Sequence, residues 1–409
     1  MLQTKNLRLF LSLLAFPALA SAVCSTSTCM PDGTQASGAK YRICMPDPSC
    51  WNHKLVIYAH GYVDPNAPIA IPEDQLTVGG ISLPTLINQL GFAFAASSYS
   101  TNGLAVLPGV KDSLDLVTIF SNTIGKPDRV YITGPSEGGL VTALSIEQHA
   151  DVYHAALPAC GPIGDFQRQI NYIGDFRVVF EYFFPGVIPG SPISVPQEIM
   201  TDWDSIYVPA IQKAIQANPS ATTQLLNVTQ APIDPNDPAT VAETVVNLLW
   251  YSVFSSNDAA TKLGGQPFDN HDRVYSGSLN DTALNQGVAR FTASPAAITQ
   301  VAFHYQTTGK LTRPVVTMHT TGDPIIPYWN EPLYTLKTLN QHDFAERINL
   351  PVAAYGHCNF TEADALIAFG LMLLKDNAST LPAGAESLVP EAKRGEFLNR
   401  ARTLGVLKH

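Results

Sequence analysis

The apolar positions of this chain change their spacing twice. KLVIYAHGY (54–62) and GFAFAASSYS (91–100) are continuous apolar runs of strand length, and LPTLINQL between them repeats its apolar residues at helical spacing. Runs without polar alternation belong to strands buried on both faces. VKDSLDLVTIFSNTIG (110–125) sets Leu114, Val117 and either Phe120 or Ser121 on one face of a helix, then leads through Lys126-Pro127-Asp128 into the strand RVYITG (129–134). GGLVTALSIEQHA reads as a further helix and YHAALPAC (153–160) as a further strand. Strand, helix, strand, helix predicts an α/β fold with a parallel sheet and helices on both faces.

From Gly161 to about Gln306 the rhythm stops. PQEIMTDWDSIYVPAIQKAIQ, ATTQLLNV, PATVAETVVNLLWYSVFSS and SPAAITQVAFHY read as helices separated by Pro, Gly and Asn clusters, so residues 161–306 are expected to form a helical insertion. Its large side chains are Tyr182, Phe183, Phe184, Trp203, Tyr207, Trp250, Tyr251 and Phe254. Most are expected to build the insertion's own core, and a few to face a ligand. The strand rhythm resumes with RPVVTMHTTGD (313–323) and RINLPVAAYGH (347–357), and TEADALIAFGLMLLKD follows as an apolar helix. The core is therefore expected from 54–160 together with 307–409, and the chain carries no internal repeat.

Composition narrows the function classes. With 45% hydrophobic and 14% charged residues in a chain of 409, the protein can bury a large core and is no disordered polymer. Residues 1–22 carry Lys5 and Arg8, a short apolar run and Ala20-Ser21-Ala22, the pattern of a cleaved signal peptide. No later apolar run reaches the ~18 residues of a membrane span, so a soluble, secreted protein without stable membrane insertion is expected. Cys24 near the cleavage point raises a lipid anchor, against which the bulk of Val23 speaks. A net charge of −10 with no basic stripe speaks against nucleic acid as a partner.

All six cysteines lie beyond the leader, and an even count in a secreted chain predicts three disulfides. Cys24, Cys29, Cys44 and Cys50 are expected to staple residues 23–53 to themselves, in one of three connectivities. The remaining pair is Cys160 with Cys358. Asn227, Asn280, Asn359 and Asn377 each open an N-x-[ST] sequon; Asn359, beside His357, is expected to stay unmodified.

Chemistry concentrates at three places. GPSEGG (134–139) follows a buried strand and opens a helix, the context of a nucleophile elbow that exposes the Ser136 hydroxyl above the sheet. Gly134 and Gly138 then let strand and helix approach closely. A serine needs a base to take its proton and an acid to hold that base. In chain order the acid is Asp323, in TGDPIIPY past one late strand, and the base is His357, in YGHC past the next. Both stand at carboxyl ends of strands, where open α/β sheets place ligands. Asp165 is the alternative acid. The oxyanion donors are expected to be the N–H of Glu137, at the positive end of its helix, and the N–H of Tyr62, with Gly61 permitting the close approach. His60 is assigned to packing of that loop. His319, inside a strand, and His53, His149 and His154, near element ends, are given no part. DNHD (269–272) lacks the spacing of any defined metal loop, and no metal or cofactor is expected.

These motifs, from about Lys54 to Phe360, resemble the α/β-hydrolase superfamily. The resemblance implies an eight-stranded, mostly parallel sheet with a helical cap inserted after the sixth strand, acyl-serine chemistry and no cofactor. His357-Cys358 and CWNHKL are similar to the tannase and feruloyl esterase group, in which cysteines beside the serine and histidine are bridged; here Pro135 stands where the serine-side cysteine would be. GPSEGG and TGDPIIPYWNEPLY resemble instead the catalytic domain of prolyl-oligopeptidase-like enzymes. Too few residues precede Lys54 for the propeller that many of those carry. The expectation is a carboxylic ester hydrolase acting on a small or polymeric ester, with a serine peptidase acting on short peptides as the alternative.

Overall fold

The computed structural model describes residues 23–377 and 380–407. The signal peptide expected at 1–22 lies outside them. The strands are β1 (Ser27–Cys29), β2 (Gly33–Thr34), β3 (Lys40–Pro46), β4 (Lys54–Tyr58), the hairpin β5 (Thr77–Val78) and β6 (Ile81–Ser82), β7 (Ala93–Ser97), β8 (Arg129–Pro135), β9 (Ala155–Ala159), β10 (Val315–Gly322) and β11 (Arg347–Tyr355). The central sheet runs β1-β3-β7-β4-β8-β9-β10-β11, with the two-residue β2 attached to β3 as a ninth strand. From β7 to β11 every pairing is parallel, whereas β1, β2 and β3 run antiparallel to their neighbours.

Alternation along each strand divides the core. Val56 and Tyr58 face one side with α1 (Leu83–Gln89). Leu55 and Ile57 face the other with α2 (Val106–Thr123) and α3 (Glu137–Gln148). Pro351 is tolerated inside β11 because that strand is the sheet's edge.

Between β9 and β10 run α4 (Phe166–Phe183), α5 (Gln197–Thr201), α6 (Val208–Ala217), α7 (Pro219–Thr229), α8 (Ala239–Lys262), α9 (Asp281–Gly287) and α10 (Pro295–Gln300). They pack around a cluster of their own that holds Phe176, Phe180, Trp203, Leu248 and Phe254. After β10 come α11 (Asn330–Asn340), α12 (Glu362–Lys375) and α13 (Glu391–Thr403). Thr361 and Asp364 form a capping box that starts α12, and this helix and α13 cover the α1 face of the sheet. On the path of eight strands the helical segment follows the sixth, β9, and the whole is the α/β-hydrolase architecture.

The pattern did not predict β1, β2, β3, β5, β6, α4, α9, α11 or α13. β1 and β3 lie in the cysteine-rich start, whose residues lack a continuous apolar run. α4 has Gly174 at its middle, where a Cβ would come 2.2 Å from the Phe268 ring; close packing, rather than a kink, places the glycine. Asp165, the alternative acid, is the N-cap of α4 and accepts the Arg168 N–H at 3.1 Å.

Candidate active site

Ser136 sits between β8 and α3 with φ 57° and ψ −126°, a conformation that costs an L residue ~1–3 kcal/mol. The surroundings impose it. A Cβ on Gly134 would lie 2.1 Å from the Ala59 carbonyl oxygen, and one on Gly138 2.0 Å from the same atom, so both walls of the turn are backbone. The Ser136 N–H donates to the Ala159 carbonyl at 2.9 Å, tying the turn to the end of β9.

The carboxyl edge of the sheet brings three distant residues together. Ser136 Oγ lies 2.8 Å from His357 Nε2, and His357 Nδ1 lies 2.7 Å from Asp323 Oδ2. Asp323 is fully buried, and its Oδ1 accepts the N–H groups of Ile325 and Ile326, each at 2.9 Å. Burial alone would raise its pKa, but His357 and His319 hold it down at about 2. An ionised Asp323 only accepts, so the neutral imidazole carries its proton on Nδ1 and turns the Nε2 lone pair to the Ser136 hydroxyl.

The loop after β4 faces the same serine. A Cβ on Gly61 would stand 3.2 Å from Ser136 Cβ, which accounts for the glycine. Its N–H is occupied, donating to Gln75 Oε1 at 2.6 Å. Gln75 Nε2 in turn donates to the Tyr62 carbonyl at 3.1 Å, and the Gln75 carbonyl accepts the Tyr58 hydroxyl at 2.7 Å. Among the described residues, no protein acceptor takes the N–H of Tyr62 or of Glu137. His60 stacks on Tyr99 with ring centroids 3.8 Å apart, and burial lowers its pKa, so it packs the loop as a neutral ring.

Cys160 and Cys358 are bonded, with Cα atoms 5.5 Å apart, and the Cys358 sulfur lies 3.5 Å from His357 Nε2. The histidine loop is thereby joined to the end of β9, next to the nucleophile turn. The amino-terminal pairs are Cys24–Cys50 and Cys29–Cys44, the latter directly across β1 and β3. Asn359 is exposed, and its amide donates to the Tyr355 carbonyl at 2.8 Å. In DNHD, Asp269 accepts the Ala293 N–H at 2.9 Å, bracing a loop, while the Asp272 side chain points to solvent.

Two cavities meet at Ser136 and Tyr251. One, of about 140 Å³, lies against the helical segment and is lined by Phe166, Ile170, Ile173, Phe268, Ile325 and Glu137. The other, of about 350 Å³, runs past His357 and Cys358 toward Phe94, Leu83, Ile87 and Phe360. Tyr251, from α8, engages the Ser136 side chain with its hydroxyl and packs edge-on against Tyr62 at 5.8 Å. Of the insertion's large aromatics it is the one that lines both cavities.

Sequence reasoning missed Gln75, Tyr251 and His319. Gln75 lies in a polar loop and carries no motif. Tyr251 was one aromatic among eight, and only the packing of α8 singles it out. His319 was set aside for lying inside a strand, yet it is buried beside Asp323, 3.6 Å from Oδ2; its spacing of four residues before the candidate acid was the available signal.

No family model and no curated protein matches the sequence. Among solved structures the chain is similar to feruloyl esterase B from Aspergillus oryzae, at 13% identity and a TM-score of 0.43 over 90% of this chain and 84% of that one. It is similar to the rice cell wall degrading esterase LipA from Xanthomonas oryzae, at 13% identity and 0.40 over 88% and 98%. It is also similar to an acylaminoacyl peptidase in complex with Z-Gly-Gly-Phe-chloromethyl ketone, at 10% identity and 0.41 over 81% of this chain; it spans 37% of that peptidase.

Proposed function

We propose that the protein is a secreted serine hydrolase that cleaves carboxylic esters through an acyl-enzyme. The carrying observation is the hydrogen-bonded chain from Ser136 through His357 to the buried Asp323. In this reading Ser136 Oγ attacks the ester carbonyl carbon while His357 Nε2 takes its proton. Asp323 holds the imidazole in the tautomer required and stabilises the imidazolium. The oxyanion accepts from the N–H groups of Glu137 and Tyr62. Collapse breaks the carbonyl–alkoxide bond, and His357 Nε2–H protonates the departing alcohol. Water then attacks the acyl-serine by the same steps in reverse roles, releasing the acid and restoring Ser136.

The cavities give the two halves of the substrate separate places. The leaving group must lie on the histidine's side, which is the larger cavity past His357 and Phe360; the acyl group takes the smaller one under the helical segment, which acts as a cap. Both linings are largely apolar. Glu137, the acidic residue that borders the acyl cavity among the described residues, is pushed by burial to about 8 and is neutral at pH 7. It therefore offers no anion to the ammonium of a peptide amino terminus, which favours an ester over an aminoacyl substrate. The leader pattern and three disulfides support an oxidising compartment.

A panel of nitrophenyl esters and aminoacyl anilides tests the reading. Ester hydrolysis that disappears in Ser136→Ala is expected. Anilide cleavage without ester cleavage would replace it with the peptidase, and a Ser136 that no fluorophosphonate labels would remove the enzyme altogether.

A further inference from the structure

The acid of the proposed triad is flanked by a second histidine. His319 is fully buried on β10. Its Nε2 lies 2.7 Å from the Ile326 carbonyl oxygen and 3.6 Å from Asp323 Oδ2; its Nδ1 lies 3.3 Å from Glu331 Oε1. Glu331 on α11 is fully buried as well, and its other oxygen accepts from the Thr317 hydroxyl at 2.7 Å and from the Arg347 guanidinium. Glu331 is therefore an anion. Both ring nitrogens of His319 thus face atoms that can only accept, a carbonyl and a carboxylate. A neutral imidazole would aim a lone pair at one of them, so each nitrogen must carry a proton. Four buried charges follow in sequence: Asp323, His319, Glu331 and Arg347, alternating in sign.

We propose that His319 is a positioning residue, held permanently as an imidazolium, that keeps Asp323 ionised and offsets part of the negative charge Asp323 presents to the base. This rests on reading Asp323 and His357 as acid and base. Every element around the ring is accounted for. The loop after β10 contributes Asp323 and Tyr328, the latter edge-on at 5.7 Å. α11 contributes Glu331, β11 contributes Arg347, and α4 contributes the neutral Tyr172, whose hydroxyl donates to the Pro324 carbonyl. β9, the strand on the other side, carries no titratable residue between Ala155 and Ala159. On α12, Asp364 pairs with Arg400, Lys375 reaches the Ala345 carbonyl and Glu362 lies against Gly79. Burial by itself would lower the His319 pKa, but the two carboxylates overcome it and raise it to about 10.

Removal of this cation has a defined sign. With Asp323 still ionised, the surroundings of His357 become more negative by one charge, and the base keeps its proton to higher pH. The test has two arms. In the resting full-length chain labelled with ¹⁵N-histidine, His319, assigned by through-bond correlation to its backbone, should show two protonated ring nitrogens unchanged from about pH 5 to 8.5. A single ring proton, or titration within that range, overturns the proposal whatever the enzyme's activity. In His319→Gln, which keeps a donor for the Ile326 carbonyl, the acid limb of kcat/KM should move up by about one pH unit. An unmoved limb, with or without a lower plateau, reduces His319 to a packing residue. If the variant does not fold, the spectrum of the unaltered chain decides; if no ester is turned over by the wild type, the functional reading fails while the spectroscopic result still stands.

Discussion

Two carboxyl groups flank Ser136, and the structure drives them to opposite states. Asp323, behind His357, and Glu137, next in sequence to the serine, are both buried. Asp323 lies against the imidazoles of His357 and His319, which hold its pKa down at about 2, and it also receives two backbone N–H groups. Glu137 receives one N–H, from Ala105 at 2.9 Å, its Oε2 has no partner among the described residues, and burial takes it to about 8. Burial is common to both; the imidazoles of His357 and His319, which oppose it at Asp323, separate them. In the proposed mechanism, negative charge is thus kept on the side where an imidazolium would form and withheld from the side where an oxyanion would form, since an ionised Glu137 would repel it.

The contrast should break most visibly at Asp323. Asn in its place cannot hold the Nδ1–H tautomer, so Asp323→Asn should lower kcat by about 10³–10⁴ while circular dichroism shows an intact fold. A loss under tenfold would remove Asp323 from the mechanism. Stability carries the same signature. With the folded value at about 2 against an ordinary 3.8, the wild type should lose stability in acid unfolding between those values, and the variant, which keeps only the other lowered carboxylates such as Glu331, should lose less.

On the oxyanion side the weak point is Gln75, whose amide fixes both Gly61 and Tyr62. Gln75→Ala should cost about 10–100-fold in kcat with a smaller change in KM, because the Tyr62 N–H loses its aim. An equal fall in binding of a ground-state product would show that the loop shapes the cavity instead. Replacing Cys160 and Cys358 by Ser should lower stability by about 2–4 kcal/mol in urea, given a loop of 198 residues. It should also cost about tenfold in kcat, since the histidine loop is no longer fixed to β9. A loss of stability with unchanged kcat would make the bridge purely structural.

What the sequence disclosed follows the same division. Ser136, Asp323 and His357 could be singled out because backbone topology places them: each follows a strand of the parallel sheet at its carboxyl end, and steric limits on the turn leave a trace in Gly134 and Gly138. The Cys160–Cys358 pairing could be reached by elimination. Gln75, Tyr251 and His319 act through side-chain packing across elements distant in sequence, and no periodicity encodes that. The helical segment shows the limit most plainly, since its α4 was missed where Gly174 accommodates the Phe268 ring. The strands β1 and β3 were missed for a related reason: β3 gains its place from pairing with β7, not from a continuous apolar run of its own.

The smallest effect expected is at Glu137, and it tests the other half of the contrast. Its folded value of about 8 lies above the ordinary 4.5, so the protonated carboxyl is compatible with the fold at low pH. Above 4.5 the unfolded chain releases that proton while the folded chain holds it, and stability is lost progressively as pH rises through 8. Gln at this position keeps an acceptor for the Ala105 N–H and is neutral at every pH. Glu137→Gln should therefore leave Tm near the wild-type value at pH 4 and exceed it by about 2–5 °C at pH 8.5, a gap that widens with pH. A gap of equal size at both pH values would mean that Glu137 titrates alike in the folded and unfolded chains and is ionised at pH 8.5. The Oε2 atom would then need a partner that the fold does not supply, and the two carboxyl groups beside the serine would no longer differ in charge.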